Sequence, residues 1–370
     1  MSNTKIYFPN LNGVRFIAAI LVVIHHIEQI KFMYGFENNW HLPFIEVIGK
    51  LGVVLFFVLS GFLITYLLLV EETKFNRIDV SRFYLRRILR IWPLYFFIVI
   101  LAFFVLPNIE IFERPNFGKD VIYQQLSGKL LLYFLFFSNL ALSVFGITPF
   151  VSHTWSIGTE EQFYLIWPLV LRFVKRNRLL LMILIIALYL LVHFFLQSSI
   201  SNQVPFRNVF RGFWKLFNID CMAIGGLFAV LHFQKNKLVF FLKKPFIFFP
   251  ILIVTIVFIS FGIHFPWLHY EMYALLFGII ILNLATSRPT FLESSPLNYL
   301  GNISYGIYMY HPIAIVLALS FCKLIFEGPN GWMYPISIGL AIGFSALSYR
   351  YLESYFLKFK SKFTLIHSGK

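Results

Sequence analysis

Charge is what this sequence lacks. Only 13% of its 370 residues are Asp, Glu, Lys or Arg, about half the share of an ordinary soluble domain. A soluble chain of this length would need far more polar surface to cover its core. The deficit excludes a globular cytosolic enzyme, a nucleic-acid-binding module and a disordered protein. Cysteine is scarcer still. Cys221 and Cys322 stand far apart in apolar segments, which excludes a disulfide scaffold and gives no spacing for zinc or redox chemistry. Both read as small residues facing lipid or core. No small-residue cleavage site follows the short polar N-terminus, so no removable signal peptide is expected. What is abundant is apolar: 59% hydrophobic residues, 47 phenylalanines and a mean hydropathy of +0.77. These imply an all-α, polytopic bundle in a membrane, with the net charge of +15 carried on loops.

A spanning helix needs about 20 mostly apolar residues. Candidates lie at roughly 13–33, 47–70, 85–106, 160–174, 179–197, 217–233, 246–262, 269–286, 299–322 and 333–355. A further apolar stretch, 129–147, either crosses or enters and returns. Basic loops stay cytoplasmic. Arg77, Arg82, Arg86, Arg87 and Arg90 surround the start of the third span, which puts the N-terminus inside. A re-entrant 129–147 then also places Arg172–Arg178, Lys235–Lys244, Arg288 and Lys358–Lys362 inside. Ten spans with both termini cytoplasmic, in the cell (plasma or inner) membrane, satisfy the rule best, although Arg114, Lys119, Arg207, Arg211 and Lys215 fall outside. Residues 1–357 read as a single transmembrane domain and 358–370 as a short basic cytoplasmic tail.

A charged side chain in hydrocarbon costs several kcal/mol, so buried ionisable residues are functional candidates. The first span carries Arg15, His25, His26, Glu28 and Lys31. Arg15 and His26 are eleven positions apart. That is almost three helical turns, so they share one face about 16 Å apart along the axis. One reading makes His26 a general base, since neutral imidazole suits deprotonation of a hydroxyl at pH 7, and Arg15 an anchor for an anionic donor. The other makes Arg15 a snorkelling flank and His26 a packing residue.

Six stretches now stand out in order. They are Leu11–Ala19 (LNGVRFIAA) leading to His26, Gly52–Thr65, Phe83–Pro93 with Arg87 and Arg90, Trp155–Tyr164 (WSIGTEEQFY), Ile303–Pro312 (ISYGIYMYHP) and Ser348–Glu353. Together they resemble the signature segments of the membrane acyltransferase-3 family, in which an Arg is followed after ten residues by a His in the first span. Asn12 stands where that family more often has Asp. The resemblance implies transfer of an acyl group, by default acetyl, from cytoplasmic acetyl-CoA or another acyl-CoA to a hydroxyl of a carbohydrate or glycolipid of the cell envelope. No metal cluster appears in the sequence, and composition already argues against a nucleic-acid partner. With no fused esterase-like domain after the last span, an acceptor remote from the bilayer would need a periplasmic or extracellular partner for onward transfer.

Such chemistry needs a base, oxyanion donors and a clamp for the coenzyme phosphates. His26 is the candidate base, with Arg15 beside it in the catalytic set. Arg87 and Arg90, three apart on one helix face, fit a phosphate clamp or an ordinary basic flank. Glu160 and Glu161 open the fourth span, where the helix dipole favours carboxylates; either could orient His26 or bind sugar hydroxyls. The charge-derived topology puts Trp155–Glu161 on the outer side. Ser60 and Gly61 would admit a ligand close to the second span or serve helix packing. Trp155 and Tyr164 offer sugar-stacking faces or are interfacial aromatics. Asp220 needs a partner such as Arg211 or a Tyr. Tyr305 and His311 complete the substrate-binding candidates, and Glu353 with Arg350 reads as an i,i+3 ion pair. The competing reading is a transporter or flippase of a lipid-linked sugar, whose ionisable residues line a pathway. It predicts internal repeats, and none is found.

Overall fold

A computed structural model describes residues 5–113, 118–326, 328, 331–364 and 366–368. Arg114 and residues 365, 369 and 370 of the tail lie outside the described residues. The helices in chain order are α1 (Leu11–Met33), α2 (Pro43–Phe75), α3 (Val80–Ile100), α4 (Lys119–Tyr123), α5 (Leu126–Phe134), α6 (Ser138–Phe145), α7 (Trp155–Phe173), α8 (Arg178–Gln197) and α9 (Arg207–Phe217). They continue with α10 (Ile219–Phe233), α11 (Lys237–Leu242), α12 (Pro245–Ser260), α13 (His269–Thr286), α14 (Ser295–Asn302), α15 (Ser304–Phe326), α16 (Met333–Ser348) and α17 (Ser354–Lys360). Two strands of two residues, β1 (Lys5–Ile6) and β2 (His367–Ser368), pair in parallel.

The protein is an all-α membrane bundle. Seven described helical segments are long and apolar enough to cross a membrane. All ten expected apolar stretches fall on helices, with α7, α12 and α16 being the three that miss the length or charge limits of a self-evident span. On α8, Leu180, Leu184, Leu188 and Leu191 are all more than half exposed and fall on one stripe of the helix. Such a stripe suits lipid rather than water. The stretch 129–147 is not one helix. It breaks at Phe136, which has positive φ, into α5 and α6. Nine helical residues rise only about 14 Å, half the hydrocarbon thickness, so neither piece can cross alone.

α2 is the hub. At 33 residues it is the longest helix, and it packs most extensively on α10 and α1. Glycine makes the α2–α10 crossing possible. A Cβ on Gly61 would sit 1.9 Å from the Met222 carbonyl oxygen, and one on Gly225 would sit 2.0 Å from that of Val58. The two backbones touch, as small residues allow in membrane helix pairs. Gly61 therefore packs against the α10 backbone.

Local chemistry also sets where helices start. Pro43 and Pro245 occupy first-turn positions of α2 and α12, where no intrahelical N–H is needed. Asp79 caps α3 by accepting from the Arg82 backbone N–H at 3.0 Å. The last helix changes pitch. Residues Tyr349–Glu353 form a π-helical turn between α16 and α17. The wider turn carries i and i+3 off a common face, and this corrects the expected Arg350–Glu353 pair. Glu353 instead accepts from Ser348 at 3.4 Å, and the Arg350 guanidinium lies over the Tyr351 ring.

Candidate active site

The site is built outward from the first turn of α1. Asn10 precedes it in the left-handed region (φ 68°), a conformation that Asn tolerates better than most residues. Its buried side chain accepts from Thr290 N at 2.7 Å and Thr290 Oγ1 at 2.8 Å, and donates to Leu284 O at 3.0 Å. The start of α1 is thus bolted to the segment joining α13 and α14. A polar chain then runs along it. Glu293 accepts from Asn298 at 3.0 Å, Asn12 donates to Asn298 at 3.1 Å, and Arg15 Nη1 donates to Asn12 Oδ1 at 3.0 Å. Asn12 donates and accepts at once, which a carboxylate could not do. Arg15 is oriented before any ligand arrives.

Arg15 opens onto a chamber of about 110 Å³. Ser60 of α2, Arg87 and Arg90 of α3, and Glu160 and Tyr164 of α7 line it, together with Ser156, Tyr305 and Tyr308. Glu160 accepts from Ser60 Oγ and Tyr164 Oη, each at 3.1 Å. The Arg87 guanidinium lies 5.3 Å from the ring centroids of both Phe83 and Tyr164, and its Nε makes no hydrogen bond. Tyr305 donates to Ile91 O at 2.9 Å. Two more cavities, of about 310 and 230 Å³, adjoin the chamber and share Arg87 and Arg90 with it. The expected clamp residues Arg87, Arg90 and Ser60 therefore converge with Arg15, Glu160, Tyr164 and Tyr305.

Glu161, one residue on, turns away and accepts from Trp92 Nε1 at 3.0 Å. Ser60 and Tyr164 are thus the hydrogen-bond donors to Glu160, and Trp92 the donor to Glu161. Glu160 lines one chamber with Arg15 and bonds Ser60 at the middle of α2, while Trp155, at the start of the same turn, lies against Lys50 nearer the N-terminal end of α2.

His26 lies one layer beyond the chamber and does not line it. Its Nδ1 donates to Val22 O at 2.8 Å, which leaves Nε2 as the basic nitrogen of the neutral ring. The His26 ring centroid is 4.7 Å from that of His311, and His311 is 5.0 Å from His153. The His311 ring is in turn 5.6 Å from that of Tyr308, which lines the chamber. Tyr308 Oη donates to His153 O at 2.6 Å and lies 2.7 Å from Ser156 Oγ. A continuous ladder of rings thus joins chamber to histidine. His25 points away and pairs with Ile45 O at 2.7 Å, while Glu28 binds Lys31 at 2.8 Å.

Two expected substrate residues fall elsewhere. The Trp155 ring is covered by Lys50 Nζ, 3.8 Å from its centroid, and Phe57 meets its edge. Asp220 is fully buried at the start of α10, away from the chamber, next to the Cys221 thiol at 3.8 Å. Among the described residues it forms no ion pair with Arg211. Asp220 belongs to a separate polar cluster with Lys50 and Glu271.

The acyltransferase domain family matches residues 8–350, nearly the whole chain. The chain belongs to the acyltransferase-3 family. It is 25% identical to the peptidoglycan O-acetyltransferase OatA of Listeria monocytogenes over 98% of this chain and 59% of that protein. It is 28% identical to the O-acetyltransferase OatA of Staphylococcus aureus over 94% of this chain and 57% of that protein. The chain thus spans little more than half the length of these relatives. No solved structure matches significantly.

Several residues of this acyltransferase domain escaped the sequence reading. His153 stands just before the Trp155 stretch, and its spacing from His26 carries no signal. Ser156 and Tyr308 lie inside signature segments, but nothing in the spacing singles them out. Asn298 matters only because Asn12 and Glu293 fold onto it. Arg86 reads as a basic flank, yet it pairs with Glu71 at 3.2 Å.

Proposed function

We propose that this domain is an O-acetyltransferase of the cell membrane. It moves an acetyl group from acetyl-CoA to a hydroxyl of a cell-envelope glycan, and the names of its relatives point to peptidoglycan as the polymer. The observation that carries the reading is the convergence of Arg15, Arg87 and Arg90 on one chamber, with His26 about 16 Å farther along α1. Three guanidiniums against the single carboxylate Glu160 suit a ligand with several phosphates. In this reading the N-terminus and the chamber mouth face the cytoplasm, where acyl-CoA is found, and the acceptor approaches from the other side.

The acceptor hydroxyl attacks the thioester carbonyl while His26 Nε2 takes its proton. The Val22 carbonyl holds the ring in the required tautomer. The tetrahedral oxyanion collapses, the C–S bond breaks, and the new C–O bond remains as the ester. The proton on His26 passes to the departing thiolate, which restores neutral imidazole. Tyr308 stands between donor chamber and His26, so the reactive arm passes it only when its side chain swings aside. Ser60 and Tyr164 hold Glu160 so that it steadies Arg87 without neutralising the whole chamber.

The test is transfer of radiolabelled acetyl from acetyl-CoA to a muropeptide by the purified full chain. Replacing His26 by Ala removes the base and should lower the rate by about 10²–10⁴-fold, with donor binding retained. Undiminished transfer by H26A refutes the assigned base, and no acetyl-CoA-dependent product from the parent protein refutes the donor.

A further inference from the structure

Residues beyond the π-turn do not trail away from the bundle. α17 packs along α3. Phe363 O then accepts from Arg86 Nη1 at 3.0 Å, and Thr364 Oγ1 donates to Lys360 O at 2.9 Å. Ile366 is buried, and β2 pairs with β1 a few residues before α1. The segment is a strap tied across the end of the bundle where Arg15 lies. It brings Lys360 into the walls of both cavities adjoining the chamber.

The charges facing Lys360 come from three helices. α1 contributes Arg15, α2 contributes Glu71, and α3 contributes Arg86, Arg87 and Arg90. Glu71 is already paired with Arg86. Among the described residues, neither Lys360 nor Arg90 has an ion-pair partner. An ordinary basic flank extends its ammonium into water; this one is turned inward among arginines. Such crowding of like charge is unfavourable unless an anion joins it.

We propose that Lys360 is a phosphate ligand of the donor site, carried by the strap, so that the donor's phosphates are gripped between α1, α3 and the end of α17. The inference rests on the acyl-CoA reading above and adds to it a ligand outside the spans. Burial and the guanidiniums of Arg90, Arg87, Arg15 and Arg86 push the Lys360 ammonium down to about 6. A bound phosphate would restore its proton, so binding and proton uptake are coupled.

The experiment is calorimetric titration of the purified full chain in neutral detergent. The probes are coenzyme A, dephospho-coenzyme A, pantetheine and dispersed phosphatidylglycerol, and the variants are Lys360→Gln and Lys360→Arg. Losing one charge-assisted phosphate contact should weaken coenzyme A binding about ten-fold in K360Q. K360R should stay near the parent, and pantetheine, which has no phosphate, should not distinguish the three proteins. At pH 7 the parent should take up a proton on binding coenzyme A, read from two buffers of different ionisation enthalpy, and K360Q should not. A merely structural lysine would change melting temperature without changing proton uptake. Equal affinity and equal proton uptake in parent and K360Q overturn the inference and leave the donor reading intact. Binding of phosphatidylglycerol that depends on Lys360, with no binding of coenzyme A by the parent, overturns both and makes the anion a lipid headgroup.

Discussion

Replacing Gly61 by Ala tests whether the α2–α10 crossing sets the geometry of the chamber. The added Cβ would lie 1.9 Å from Met222 O, and contacts under 3.0 Å essentially do not occur. The helices must therefore part by about 1.1 Å at this point. The obstacle is backbone, so no side chain can rotate out of the way. Overpacking of this kind costs about 1–3 kcal/mol, and rigid backbone on both sides argues for the upper end. At roughly 2–4 °C per kcal/mol for a domain of a few hundred residues, the melting temperature should fall by about 6–12 °C. Ser60 is the adjacent residue and bonds Glu160 at 3.1 Å, so the same displacement loosens the chamber wall and should raise the KM for the donor. Gly225→Ala meets Val58 O at the same crossing. The double variant should be less than additive, because helices already separated have room for the second methyl. Gly339→Ala in α16, with nothing within 4 Å of its Cβ, serves as the control and should be neutral or slightly stabilising. The assay is thermal unfolding in detergent alongside donor kinetics. A G61A protein that melts within a degree of the parent with unchanged KM would refute the reasoning.

Asn10→Ala loses the bonds to Thr290 and Leu284 and leaves a strained left-handed residue. It should cost about 2–4 kcal/mol, with Asn10→Gly costing less because it keeps the conformation; equal melting of the two would argue against strain. Tyr308→Phe removes the hydroxyl shared with Ser156 and His153 O. It should destabilise by about 1–3 kcal/mol while lowering the barrier to passage beyond the chamber, so a lower melting temperature with kcat preserved or raised is expected, and a collapse of kcat would make the hydroxyl catalytic. Lys360, near pKa 6 when folded against 10.5 ordinarily, holds a proton in the unfolded chain but not in the folded one between those values. Stability should therefore rise with pH from 6 towards 10, and melting curves of Lys360→Met should show a smaller slope; identical slopes would exclude the group.

Sequence and structure agree where one dimension suffices. The ten apolar stretches became helices because hydrophobic length alone decides them. Arg15 and His26 share a face because helical periodicity does. The basic character of Arg87 and Arg90 was visible as well. What could not be read needs knowledge of which helix meets which. The neighbours of Glu160, which are Ser60 of α2 and Arg15 of α1, come from distant helices, and a charge rule for loops says nothing about them. Gly61 fits either a ligand approach or helix packing in sequence, because its carbonyl partner, on Met222, lies 161 positions away. Arg350 and Glu353 were paired on α-helical spacing, and a local π-turn removed the face they would have shared. Lys360 read as one more basic tail residue because its neighbours belong to α1 and α3.

The distribution of polar groups also bears on the competing transporter reading. A transport pathway needs ionisable residues at successive depths, open in turn to each side. Here four cations, Arg15, Arg87, Arg90 and Lys360, gather around adjoining cavities. The groups at the next level are the uncharged pair Ser156 and Tyr308, then His311 and His26. Lys50 lies over the Trp155 ring in the cluster with Asp220 and lines none of these cavities, so the charged part of an anion is held by the first layer while an uncharged arm advances. That arrangement suits a donor whose phosphates stay behind and whose uncharged end extends towards His26. It does not suit a cargo whose phosphates must themselves cross.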